Sequence, residues 1–296
     1  MNNRLVVLVL FISSIGWGLT WLPLKAMNDI GLDAMLLVLI AFSSAGLMLM
    51  PALILQRKAW LPKFHFVLLV ALFGGMANAS FQTAIYHGDV IRVMILFYLL
   101  PVWSVIGGKI FFKEKIDAIR ATAVIAALTG AALILGINES FFQQFTYIDV
   151  LAICSGLGLA FNNLVFRATP DIPVASKISA MFLGCAAMIA VSIPIGEATI
   201  TYPENMSVTG YAIAYGMLWI TLITFGTQWS VTHLEAGRSS LIIVSELVVA
   251  VVSAAIITQA DMSTVEIAGG LLVLSAALIE GSRTAKPDEY ILVKQS

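Results

Sequence analysis

The sequence predicts an all-α integral membrane protein: ten transmembrane helices, arranged as two inverted five-helix repeats, with both termini cytoplasmic. Three observations predict it. Sixty per cent of the 296 residues are hydrophobic and mean hydropathy is +0.97, more apolar side chain than a soluble core of this length hides. Ten stretches come near the roughly 20 apolar residues that a membrane-crossing helix needs. A four-residue polar signature occurs twice, 146 residues apart (82 to 228), in a chain that is only 11% charged.

The stretches centre on Leu5–Leu24, Ala34–Leu55, Phe64–Tyr86, Val93–Phe112, Ile119–Ile137, Ile148–Phe166, Ile178–Ile195, Tyr211–Val231, Ser239–Thr258 and Met262–Gly281. Barrel strands would be half as long and alternate in polarity, and these do not. The first run is too long for a cleaved leader and no small-residue cleavage site follows it cleanly.

Orientation follows from the cations. With the N-terminus inside and ten alternating crossings, the cytoplasmic side holds Arg4, Arg57, Lys58, Lys63, Lys109, Lys113, Lys115, Arg120, Arg167, Lys177, Arg238, Arg283, Lys286 and Lys294, fourteen of the 16. Only Lys25 and Arg92 fall outside. That bias places both termini in the cytoplasm.

The signature reads Gln82, His87, Asp89, Arg92 in its first copy and Gln228, His233, Glu235, Arg238 in its second. Five crossings separate the copies. Five is odd, so the second copy runs in the opposite sense, with Gln82–Arg92 at the outer face and Gln228–Arg238 at the inner. Echoes elsewhere agree: Ala131–Gly136 (AALILG) matches Ala276–Gly281 (AALIEG), and Gly16–Trp21 loosely matches Gly156–Phe161. The halves are expected at 1–140 and 147–284, with a cytoplasmic tail at 285–296. The linker, about 138–147, carries Phe141 and Phe142, suited to the headgroup layer. Inverted repeats of this kind hold a substrate site near the midplane between them.

Several side chains are candidates for that site. Glu246 lies about 12 Å into its helix at 1.5 Å per residue. A carboxylate inside a span costs roughly 2.5–3.5 kcal/mol, so it should face a cavity or a partner. It is read as a contact for a cation or a coupling proton, or as a packing hydrogen bond. Gln82 and Gln228 lie one turn inside their helices, where lipid cannot satisfy an amide. Asn78 shares a face with Gln82, and Thr224 holds the equivalent place before Gln228. Asn162 and Asn163 form a polar pair of which at most one points fully into a cavity, because adjacent residues diverge by about 100°. Trp17 and Trp21, spaced i, i+4, share a face. Trp17, Trp103 and Trp219 are near mid-depth, whereas interfacial tryptophan belongs at the headgroups, which suits Trp60. These amides and indoles are expected to line the cavity, or else to pack between helices.

The acids and arginines of the signature are expected at helix ends. Within each copy, an acid and an arginine lie close enough to pair, so His87, Asp89 and Arg92 would gate one face and His233, Glu235 and Arg238 the other. Asp89 can alternatively N-cap the fourth helix. Lys113, Glu114 and Lys115 read as a topology anchor. Glu280, near the inner end of the tenth helix, can snorkel and pair with Arg283.

Other classes are disfavoured. There is no G-x4-G-K-[ST] phosphate loop. The histidines at opposite faces cannot share an active site, so no enzyme is expected. Cys154 and Cys185 lack zinc-ligand spacing and read as core residues, so no metal and no cofactor are expected. A net charge of −1 gives no hint of nucleic acid. Expected partners are a small-molecule substrate, membrane lipid and a proton as candidate coupling ion, in a monomer or homodimer.

The run Gly88–Pro101 (GDVIRVMILFYLLP), with Phe111–Ile116 (FFKEKI) and Ala236–Val248, resembles the drug/metabolite transporter superfamily in its ten-helix EamA branch. That branch places Glu-Pro or Ser-Pro in its fourth and ninth helices. Here Leu100–Pro101 fills the first copy and Glu246–Leu247 the second, without the proline. The resemblance covers nearly the whole chain. It implies a secondary transporter of small metabolites in a bacterial cytoplasmic membrane, most often an exporter of amino acids or related compounds. An uptake permease of the same fold, for a metabolite or vitamin, and a channel-like facilitator are the alternatives. The superfamily's small four-helix cation exporters rely on a glutamate in their first helix; Leu5–Leu24 carries no charge, so that mechanism does not transfer.

Overall fold

The structure is a computed structural model that describes residues 3–137, 144–195 and 206–283. Phe141, Phe142 and the tail at 285–296 lie outside the described residues. Among the described residues, ten helices are long and apolar enough to cross a membrane: Asn3–Asp29, Ala34–Leu55, Arg57–His87, Val90–Phe112, Ala118–Leu135, Tyr147–Ala168, Val174–Val191, Ser207–His233, Ala236–Thr258 and Thr264–Ser282. They are called the first to tenth spans below. Among the described residues there is no strand. Leu55, Leu218, Leu222 and Ile256 project from the outer surface, as side chains bathed in acyl chain would.

Local chemistry sets the helix starts. The Asp33 carboxylate accepts from the Met35 and Leu36 amides. The Asp89 and Asp117 carboxylates accept from the Arg92 and Arg120 amides, each at 2.9 Å. Thr146 with Asp149, and Ser263 with Glu266, form capping boxes. The expectation that Asp89 caps the fourth span is met.

The 146-residue spacing reaches well beyond the signature. The fourth span breaks after Phe97 and the ninth after Ile243. Among the described residues, the two at positive φ outside glycine are Lys113 (56°) and Gln259 (55°), each ending one of these spans. The fifth span starts at Ala118 and the tenth at Thr264. Every one of these pairs differs by 146, so the repeat is one of backbone conformation as well as of sequence.

Packing runs between halves. The second span lies on the seventh, the third on the sixth and seventh, the fifth on the tenth, and the first on the eighth and ninth; the fourth lies on the sixth and ninth. Small residues allow these crossings. A Cβ on Gly75 would stand 2.7 Å from the Gly184 carbonyl carbon, and one on Gly130 would stand 2.6 Å from the Gly269 carbonyl oxygen. In the eighth span the helix loosens into a π-turn at Tyr215–Ile220, where Gly216 presses on the Ala41 carbonyl. Turns of this type collect at functional sites.

Candidate functional site

Eight of the ten spans enclose a cavity of about 360 Å³; the fifth and tenth pair with each other outside it. The size lies within the usual range for small-molecule sites. Its wall is mostly apolar. Trp17 and Trp21 come from the first span, Phe42 from the second, Phe81 from the third, Phe97 and Tyr98 from the fourth, Phe182 from the seventh and Tyr215 from the eighth. The polar groups on it are few: Thr20, Asn78, Gln82, Thr224, Thr227, Gln228 and Glu246.

The two signature glutamines thus meet at one cavity, although 146 residues separate them (82 to 228). Gln228 is braced from behind. Its Nε2 donates to Asn163 Oδ1 at 3.3 Å, and Asn162 Nδ2 reaches its Oε1 at 3.5 Å. Asn162 and Asn163 are buried and also bond to each other at 3.2 Å. Neither reaches the cavity wall; both hold the amide that does. Asn78 donates to the Gly74 carbonyl at 2.8 Å. The Thr224 hydroxyl is buried on the wall with no hydrogen-bond partner among the described residues.

The break in each discontinuous span delivers a functional group. Tyr98 sits at the fourth-span break, and Glu246 lies in the first turn after the ninth-span break. The Tyr98 hydroxyl donates to Glu246 Oε1 at 3.4 Å. The indole N–H groups tie the first span across to the second half: Trp17 donates to Thr227 Oγ1 at 3.1 Å and Trp21 to Ser253 Oγ at 3.0 Å. Both tryptophans predicted on one face therefore reach the cavity. Gly18 lets the first span close on the ninth-span break, since a Cβ there would stand 2.5 Å from the Glu246 carbonyl oxygen.

The other two tryptophans correct the expectation for mid-depth indoles. Trp219 shares the lipid-facing surface of the π-turn with Leu218. Trp103 is packed against the central apolar cluster, five residues past Tyr98, about 140° around the helix from it. Trp60 donates to the Leu53 carbonyl at 2.8 Å.

The charged ends are built differently from what the local pairs suggest. Asp89 spends its carboxylate on the helix cap, and Arg92 turns to the sixth span, where its Nε lies 2.5 Å from Asp149 Oδ1 and its Nη2 donates to Oδ2 at 2.8 Å. His87 is exposed, whereas His233 Nδ1 bonds the Trp229 carbonyl at 2.7 Å. At the opposite end, Glu235 pairs with Arg120 rather than with Arg238, and Arg238 donates to the Gly281 carbonyl. The expected pairing inside each signature copy is corrected at both ends, because a helix cap or a neighbouring span offers better geometry.

Glu114 also corrects its reading as a surface anchor. It is 2% exposed. Its carboxylate takes Arg167 from the sixth span, Arg120 at 3.3 Å, and the Ala236 amide at 3.0 Å. Gly108 leaves room for it. Arg120 continues to Glu280 at 3.5 Å, and Glu280, fully buried instead of snorkelling, takes Arg283 at 2.8 Å. Arg283 also pairs with Asp117, whose carboxyl is held below its ordinary range by the Arg120 amide and then by that guanidinium. One lattice thus joins the ends of the fourth, sixth, eighth and tenth spans to the starts of the fifth and ninth. Lys177, read only as an inner charge, is buried and donates to the carbonyls of Phe166 (3.0 Å) and Thr169 (2.7 Å), closing the end of the sixth span.

A bundle of ten apolar spans, eight of them around an internal cavity, defines a multi-pass integral membrane protein. Over residues 4–136, which hold the first five spans, the chain matches the family model of the EamA-like transporter family. A protein of known crystal structure superposes with a TM-score of 0.72, covering 93% of this chain and 96% of its own, at 14% sequence identity. At that identity the likeness shows the fold alone. No curated protein matches the sequence.

Proposed function

We propose that this protein is a secondary active transporter. It carries small polar or amphipathic metabolites across a bacterial cytoplasmic membrane by alternating access between two inverted halves, 1–140 and 147–284, with both termini inside. The observation that carries this reading is the shared cavity, to which each half contributes a signature glutamine in the same structural place. Further support comes from the helix breaks at matched positions in the fourth and ninth spans, a device by which transporters build midplane sites. The direction is export, in keeping with the superfamily resemblance, and the coupling ion is a proton handled by Glu246, the carboxylate on the cavity wall. The other ionisable groups on that wall are the hydroxyls of Tyr98 and Tyr215; no Lys, Arg or His lines it. The charge lattice around Glu114 and the Arg92–Asp149 pair are the two gates, one for each end of the path.

Comparing metabolites inside and outside cells with and without the gene tests the reading, with an accumulated extracellular compound expected. In reconstituted vesicles, Glu246→Gln should slow flux driven by a proton gradient by ~100-fold or more, the usual scale for losing a positioned proton-transfer group. It should also flatten the pH dependence. An unchanged pH profile removes Glu246 from coupling. For topology, single cysteines replacing Asp89 and Glu235, one from each signature copy, in a background lacking Cys154 and Cys185, should react with an impermeant thiol reagent from opposite sides. Labelling from the same side contradicts the inverted arrangement.

A further inference from the structure

Among the described residues, the acids enclosed within the bundle fall into two groups. Asp149, Glu114 and Glu280 each face at least one arginine. Glu246 does not: among the described residues its carboxylate has a single hydrogen-bond donor, the Tyr98 hydroxyl at 3.4 Å, and no Lys, Arg or His beside it. It is also the acid on the cavity wall. A carboxylate in an apolar span without a cation is costly. The missing cation has room to come from a ligand.

The surroundings fit one. Trp17, Trp21, Phe97 and Tyr98 line the same cavity, and aromatic faces attract an ammonium group. The same wall is poor ground for a negative charge, since it offers an anion neutral amides and hydroxyls but no cationic side chain. A zwitterion would bring one charge that Glu246 answers and one that nothing answers.

We propose that the substrate class is a monocationic amphipathic amine: an ammonium group seated on Glu246, an aromatic or aliphatic body against the indole and phenyl walls, and no carboxylate. This rests on the reading of the cavity as the substrate site, and it narrows that reading away from amino acids.

The test uses matched pairs that differ only by a carboxylate, tryptamine against tryptophan and phenethylamine against phenylalanine. Binding is measured by calorimetry on the purified full-length protein. Each amine should bind at least tenfold more tightly than its amino acid. Glu246→Gln should abolish that preference, and Glu246→Asp, which keeps the charge, should retain it. Equal binding within the pairs overturns the assignment, as does failure of both amines to bind or an undiminished preference in Glu246→Gln. Should Glu246→Gln fail to fold, the wild-type ratio and Glu246→Asp still decide. Flux of the same compounds in vesicles separates the two claims. Glu246-dependent amine binding without flux would sink the transport reading alone. Flux of both members of each pair at equal rates would sink the amine assignment alone.

Discussion

Glu114→Ala should destabilise the protein by about 3–5 kcal/mol, the usual cost of removing one partner from a buried ion pair. The carboxylate answers two guanidinium groups and one amide, and all three are drawn from other parts of the chain. Without it, Arg120 keeps Glu235 and Glu280, but the Ala236 amide loses its acceptor and Arg167 loses its carboxylate. Glu114→Gln should cost less than alanine, because its carbonyl can still accept from Ala236. Lys113→Ala and Lys115→Ala, on exposed neighbours, should stay within about 0.5 kcal/mol. Thermal melting of the four variants in one detergent checks the order. Equal melting of Glu114→Ala and Lys115→Ala would return Glu114 to the surface role its sequence context suggests.

A second large effect is expected at the crossing of the third and seventh spans. A Cβ at Gly184 would stand 2.2 Å from the Ala71 carbonyl oxygen and 2.8 Å from its carbon. These are backbone atoms, so no side chain can rotate away; the two helices must separate. Gly184→Ala should cost about 1–3 kcal/mol, typical of overpacking, and Gly184→Val should abolish the monodisperse species. Gly210→Ala is the control. Nothing lies within 4 Å of the Cβ it would add, and it sits in a helix. Alanine there should be neutral or stabilise by up to about 1 kcal/mol. Size-exclusion profiles and melting curves of the three proteins decide. A wild-type profile for Gly184→Val would mean that the crossing is looser than drawn.

The span count and the carboxylate in the ninth span were legible because each depends on local composition. An apolar run declares itself, and so does a glutamate inside one. Partner choice was less accessible. Arg92 and Asp89 look paired three residues apart, yet Asp89 is taken by a backbone amide and Arg92 by Asp149, 57 residues on. Glu114 lies between two exposed lysines, and its partners Arg167 and Ala236 are distant in sequence. One signal did exist for it: Gly108, about one turn before the helix end at Phe112, leaves space for a side chain folding back. The π-turn at Tyr215–Ile220 has no compositional mark, so the lipid-facing position of Trp219 could not be read from its depth. The cavity was foreseeable in its glutamines but not in Tyr98, whose role follows from where the helix breaks.

In this bundle the principal neighbours of each of the first five spans belong to the last five. Taken alone, five helices would present bare flanks to one another and to lipid, with little to hold them in register. A sister set supplies the missing surfaces.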